Sequence, residues 1–407
     1  MKPSFIITLL VACGWLCPAV AGYGCTSAIF TGKVTADGRP LLWKHRDTDD
    51  MNNRMAFFHT GKYAFLALLN SSDTGATAWT GSNSAGFSIM NTASYNLKDD
   101  EVEEMDREGE LMYKALSECS TLAEFEAFLD RYPRPMRVEA NFGVIDAQGG
   151  AAYYEVNNTR WVKVDVNDPK IAPDGFLVYT NFSYTGRFGE GMGYIRYQTA
   201  MEIILPRAPL RNITPRWIFR HLSRSFRHSL MGIDLLDGRF SPLNASGWVY
   251  DQDFIPRKSS SASLVIQGVK PGEHPEMTTI WTVLGYPPAG VAVPMWVKAG
   301  EEQPAMLCKG AAPNHARLCD HALALKRKVF PLTRANEKKY IYFPALYNQS
   351  GTGIMQQVEH VEAALFDRYH NPMEKWRKTG INIAELKQLN AATEELLLSE
   401  YFTIGAE

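Results

Sequence analysis

The chain has 407 residues, 45% of them hydrophobic and 21% charged, with a formal net charge of −2. That is the make-up of a globular protein and excludes a disordered one. No block of like charge stands out, so neither nucleic acid nor an anionic membrane is indicated as a partner.

The first residues have the pattern of a secretion signal. Lys2 is followed by an apolar run over residues 5–16, a break at Pro18, and an A-x-A cleavage motif at Ala19-Val20-Ala21. A cut directly before Cys25 also finds small residues, Gly22 and Gly24, at its −3 and −1 positions. The expected organisation is a signal and short pro-segment over residues 1–24 and one folded domain over 25–407. A secreted or periplasmic location follows. Leu10-Val11-Ala12-Cys13 resembles a lipoprotein cleavage box, which keeps a lipid-anchored, non-catalytic binding protein as an alternative. No later apolar run has the length of a membrane helix.

In chain order, residues 26–30 read as a strand, Ala36-Asp37-Gly38 as a turn and residues 40–44 as the return strand. The charged cluster His45-Arg46-Asp47-Thr48-Asp49-Asp50 follows one hairpin away from Cys25. Strands are predicted at 63–69 and 87–90, helices at 101–119 and 122–132, and a hairpin over 141–156. Residues 161–166 and 176–180 continue the sheet, ending at Thr180-Asn181. Helices are predicted over 189–204, which carries Arg196, and over 215–225; strands follow at 261–267, 278–284 and 291–297. Val358, Val361 and Leu365 share one helical face near the C-terminus, and Ile383, Leu386 and Leu389 share another. The order of elements predicts a layered α+β fold, with late helices over about residues 312–407.

The chemistry centres on Cys25. As a first residue it would carry a thiol and a free α-amine on one carbon. That amine titrates near about 7.7–8.0 and serves as the base for its own thiol. Such a nucleophile needs a cation near sulfur, for which Arg46 is placed, and a carboxylate near the amine. Asp49 is the candidate carboxylate, with Asp47 as substitute. It also needs donors for a tetrahedral oxyanion, and Asn91 and Asn181 stand at predicted strand ends. Of the other cysteines, Cys13 and Cys17 leave with the signal; Cys308 and Cys319 lie close enough in sequence to pair in an oxidising compartment. Cys308, His315, Cys319 and His321 match no standard zinc spacing, and no glycine-rich phosphate motif is present, so no metal or cofactor is expected.

GCTSAIF at 24–30, LLWKHRDTD at 41–49, GSNSAGFSIMN at 81–91, NFGVIDAQGGAAYYE at 141–155 and VYTNF at 178–182 occur in that order. Together they resemble the N-terminal-nucleophile cysteine hydrolases of the choloylglycine hydrolase and penicillin acyltransferase group. The likeness is closer to the isopenicillin-N acyltransferase and carcinine hydrolase branch, which TIWTVLGYPPAGVAVPMWV at 279–297 also resembles. The resemblance implies an αββα four-layer sandwich with C-terminal helical decoration. It implies activation by exposing the cysteine, and hydrolysis of a linear non-peptide amide, or acyl transfer, through a thioester. Carried onto this chain, it makes Cys25 nucleophile and base, gives Arg46 and Asp49 the places of the family's Arg-Asn-x-Asp pattern, and gives Asn91 and Asn181 the oxyanion places. Arg196 matches a further family arginine. The chain departs in having Asp47 where Asn is usual, and in placing Gly24-Cys25 directly after a signal. A small-molecule acyl amide is the implied partner. CTSAIFTGKVTADG also resembles the opening of the related dipeptidases, the enzyme alternative, and homo-oligomerisation stays open.

Overall fold

A computed structural model describes residues 24–405. The signal-like segment, its cleavage motif and the Cys13 box lie outside the described residues. The hairpin expected after Cys25 forms from β1 (Thr26–Phe30) and β2 (Leu41–Asp47). Next come β3 (Asn53–Phe58), β4 (Phe65–Asn70), β5 (Thr80–Asn83) and β6 (Ser88–Ala93), then helices α1 (Glu108–Glu118) and α2 (Leu122–Arg131). With β7 (Ala140–Ile145), β8 (Ala151–Val156) and β9 (Trp161–Asp165), strands β3 to β9 make a seven-stranded antiparallel meander in sequence order.

The chain then returns to its beginning. β10 (Phe176–Tyr179) pairs with β1, and α3 (Tyr194–Ile204) and α4 (Pro215–Ile218) follow. Short β11 (Arg227–His228), β12 (Ile233–Asp234) and β13 (Trp248–Tyr250) precede β14 (Ser260–Gln267), β15 (Thr279–Leu284) and β16 (Val293–Met295). These complete a six-stranded antiparallel sheet in the order β10-β1-β2-β14-β15-β16. The rest is α5 (Ala305–Cys308), α6 (Arg317–Val329), β17 (Tyr340–Tyr342), α7 (Ile354–Thr379) and α8 (Ile383–Leu396).

Strand alternation explains the layers. Ile29, Leu42, Leu264 and Ile266 of the six-stranded sheet share a buried cluster with Met55, Leu66, Leu68 and Met90 of the meander, so these faces pack on each other. The opposite face of the six-stranded sheet, with Phe30, Trp43 and Trp281, packs against Ala200 of α3, Tyr369 and Trp376 of α7 and Leu386 of α8. The opposite face of the meander, with Phe65, Phe142 and Tyr154, packs against Met112 and Leu116 of α1 and Phe125 of α2. The result is helix, sheet, sheet, helix, the αββα order. α7 and α8 thus build part of an outer layer of the sandwich. No helix among the described residues is long and apolar enough to cross a membrane.

Two local differences from the sequence-based expectations have backbone causes. The helix predicted over 101–119 starts at Glu108, after Asp106 takes a left-handed φ of 75° that no helix accommodates. The one predicted over 189–204 starts at Tyr194, after Gly189 and Gly193 take φ of 82° and 83°. Cys308 and Cys319 are free, and burial pushes both thiols up to about 12. His315 Nδ1 sits 2.8 Å from Asp320 Oδ1, and His321 Nε2 lies 3.1 Å from the Tyr401 carbonyl.

One buried ion pair ties an outer helix to the sheet. Arg224 donates from both terminal nitrogens to Glu362 on α7, at 2.8 and 2.6 Å, and also to the carbonyls of Pro287 and Gly290 after β15. Glu362 Oε2 in turn accepts from the Ala292 N–H at 2.9 Å. Every polar group of the pair is satisfied, so the cost of removing one partner is that of stranding the other charge. Glu362→Ala is expected to lower the unfolding free energy by about 3–5 kcal/mol, read from denaturant titration, whereas the double change Arg224→Met/Glu362→Leu costs less.

Candidate active site

Pairing register builds the site. β1 is antiparallel to β2 on one side, with Thr26 opposite His45, and to β10 on the other, with Ser27 opposite Tyr179. Continuing both registers to the residue before β1 sets Cys25 between Arg46 and Asn181. A cysteine, a cation and an amide from three distant stretches thus meet at neighbouring strand ends. Cys25 itself is 8% exposed.

Alternation on β2 sorts its charged residues onto two faces. Leu42 lies in the inter-sheet core, so Lys44 and Arg46 lie on that same face of β2. Lys44 Nζ donates to Asn91 Oδ1 at 2.6 Å and to the Trp79 carbonyl at 2.5 Å. This fixes which way the Asn91 amide turns. Burial lowers Lys44 to about 7, while the charge of Cys25 pulls it upward. Arg46 stacks on the Trp79 ring at 5.1 Å. Its Nη1 is buried without a hydrogen-bond partner among the described residues. Burial lowers Arg46 too, and Cys25 is again the strongest opposing charge.

The other face of β2 carries His45 and Asp47. Asp47 accepts from Ser260 at 2.6 Å and from Arg257 at 2.7 Å. Burial lowers His45 to about 4, which keeps it neutral beside Ser260 at 2.9 Å. Asp49, two residues on, is exposed and lines the cavity in front of the site together with Gly24.

Two arginines grip the backbone around Cys25. Arg196, on α3, donates to the Cys25 carbonyl at 2.6 Å, to Thr26 Oγ1 at 2.8 Å and to Asn181 Oδ1 at 2.6 Å. Asn181 Nδ2 donates to the Ala93 carbonyl at 2.9 Å. Burial, then the nearby Arg257 charge, brings Arg196 down to about 9. Arg257 donates to the Gly24 carbonyl at 3.0 Å, the carbonyl of the bond whose cleavage would free the Cys25 amine. Glycine at 24 is what allows this, because a Cβ there would lie 2.1 Å from Arg257 Nη2.

Of the six residues singled out from sequence, Cys25, Arg46, Asn181 and Arg196 meet at the strand ends; Asn91 is tied to the strand through Lys44, and Asp49 stands apart on the wall of a cavity that Gly24, Asn181 and Arg196 line and Cys25, Arg46 and Asn91 do not. Lys44 and Arg257 were not anticipated. Lys44 had a usable signal, since it stands two residues before Arg46 on the same strand. Arg257 had none; it reaches Gly24 only because β14 lies beside β2. Among the described residues no cluster of three His, Cys, Asp or Glu side chains is placed to hold a metal ion.

No family model and no curated protein sequence matches the chain. Solved structures similar to it at low identity include the following three. An N-acylethanolamine-hydrolyzing acid amidase ortholog from Caenorhabditis elegans shares 14% identity over 60% of this chain and 92% of its own, with a TM-score of 0.37. A conjugated bile acid hydrolase variant from Clostridium perfringens shares 16% over 67% and 93%, with 0.39. A penicillin V acylase from Agrobacterium tumefaciens shares 13% over 67% and 86%, with 0.40.

The buried lysine has a consequence for stability. Lys44 releases its proton near 7 when folded but near the ordinary 10.5 when unfolded. Between those values the unfolded chain holds the extra proton, so stability rises with pH across the window, by about 1.4 kcal/mol per pH unit for one full proton. Lys44→Met removes that contribution. Its unfolding free energy is expected to fall progressively behind that of the wild type as pH rises through the window, and parallel curves in denaturant titrations would refute this.

Proposed function

We propose that this chain is an exported cysteine amidohydrolase that cleaves a linear amide through a thioester on Cys25. The observation that carries this reading is the sheet register that sets Cys25 between Arg46 and Asn181, with the preceding carbonyl held by Arg257. Cleavage of the Gly24–Cys25 bond frees the α-amine. In this reading that amine takes the thiol proton, and Arg46 and Lys44 stabilise the thiolate by charge. Sulfur attacks the substrate carbonyl carbon. The resulting oxyanion accepts from the amides of Asn91 and Asn181. The C–N bond breaks as the Cys25 ammonium protonates the departing nitrogen, leaving an acyl thioester. Water, activated by the amine, then releases the acid and restores the thiol. An amine in place of water would give acyl transfer.

The remaining residues position these groups. Arg196 orients Asn181 and anchors the Cys25 carbonyl. Asp47 orients Arg257, and Asp49 is assigned to hold the freed amine. The signal-like residues 1–24 support export, and the same cut would then serve secretion and activation.

Intact mass and turnover test the proposal together. The active protein is expected to begin at Cys25, and a mature chain starting at Gly22 with full activity would sink the mechanism. Cys25→Ala should lower hydrolysis of an acyl anilide by roughly 10⁴-fold or more. Asn91→Ala should lower kcat by about 10²–10³-fold with little change in KM. An equal loss spread over KM would mean that Asn91 binds substrate rather than the oxyanion.

A further inference from the structure

In front of Gly24, Asn181 and Arg196 lies a cavity of about 920 Å³. Its wall has two parts. One is apolar, from Met51, Met192, Leu323, Phe330 and Leu332. The other is a group of cations, Lys258, Lys326, Arg327, Lys338 and Lys339, brought together by the segment before β14, by α6 and by the turn before β17. With Arg196 and Arg257 the wall holds seven basic side chains against three carboxylates, Asp49, Asp251 and Asp253. The chain as a whole has a net charge of −2, so this excess is local.

Among the described residues no carboxylate touches the five basic side chains, though the charge of Asp251 reaches Lys258, Lys326 and Lys339. None of the ion pairs among the described residues includes Lys258, Lys326, Arg327, Lys338 or Lys339. Lys258 Nζ donates to the backbone carbonyl of Lys338 at 2.5 Å, which draws like charges together instead of separating them. Lys326 is buried and donates to the Lys258 and Ser260 carbonyls, and burial followed by the charge of Lys258 lowers it to about 7. Cations gathered in a concave, low-dielectric wall focus a positive field into the cavity.

Resting on the amidohydrolase reading, we infer that the substrate is an amphiphile whose apolar part lies on Met192, Leu323 and Phe330 and whose free end carries an anion, held by Lys258, Arg327, Lys338 and Lys339. The anion recognised is a carboxylate or a group of similar charge. It sits away from the scissile amide, because Arg196 and Arg257 beside Gly24 already have backbone and side-chain partners.

A matched pair of ligands tests this. Each is an unhydrolysable ketone isostere of a medium-chain acyl anilide, ending at the acyl tip in a carboxylate or in a primary carboxamide. Calorimetry on the mature wild-type protein is expected to show the carboxylate binding at least about tenfold more tightly. The gap should close at high salt and in the surface variant Arg327→Gln/Lys338→Gln/Lys339→Gln. Equal affinities, or a preference that survives the triple change, would overturn the inference. Turnover of the two parent anilides separates it from the reading it rests on. Hydrolysis of both without a carboxylate preference in binding refutes the anion site and leaves the amidohydrolase standing. A carboxylate preference without hydrolysis does the reverse.

Discussion

The structure depends on the placement of β1 between β10 and β2. Antiparallel pairing has a period of two, so register error by one residue would turn every side chain of β1 to the other face. The correct register is enforced on both faces at once. Ile29 must enter the core between the sheets, and Ala28 and Phe30 must meet the helices outside. Those apolar demands, not any contact of Cys25 itself, bring the cysteine level with Arg46 and Asn181. Arg196 then locks the position by donating to Cys25, Thr26 and Asn181 from one guanidinium.

Around that point the protein buries an unusual amount of positive charge. Lys44, Arg46 and Arg196 are each almost inaccessible, and each has its proton affinity lowered by burial. Desolvating cations costs several kcal/mol per ion when they lack full compensation. Asp47 compensates Arg257, but Arg46 keeps a buried nitrogen without a hydrogen-bond partner among the described residues. Such groups are retained where negative charge develops during function, and a thiolate and an oxyanion are the two such charges in the proposed reaction. Hydrogen bonds to carbonyls from Lys44 and Arg196 orient these two cations without cancelling their charge.

Much of this was legible from residue order. The hairpin after Cys25 was visible from its apolar runs and the Asp37-Gly38 turn, and α2 from Thr121, whose side chain caps the Glu124 N–H. β3 was not visible, because NRMAFF mixes polar and apolar residues and gains its strand form from pairing with β4. Helix starts at Glu108 and Tyr194 were missed because a single positive φ outweighs the propensity of the residues before it. Free Cys308 and Cys319 show the same limit: closeness in sequence does not set side-chain geometry.

What the sequence by itself determined was local in origin: the cysteine beside a cleavage motif, the hairpin that follows it, and the charged end of the second strand. Each follows from periodicities of two or 3.6 residues and needs no knowledge of distant neighbours. Only the tertiary structure decided the rest. β14 beside β2 brings Arg257 onto the Gly24 carbonyl across 233 positions of sequence. α6 and the turn before β17 close a cationic wall whose members are dispersed in the chain. The physical reason is that strand order and helix docking are set by burying both faces of two sheets at once, a condition that no single segment carries.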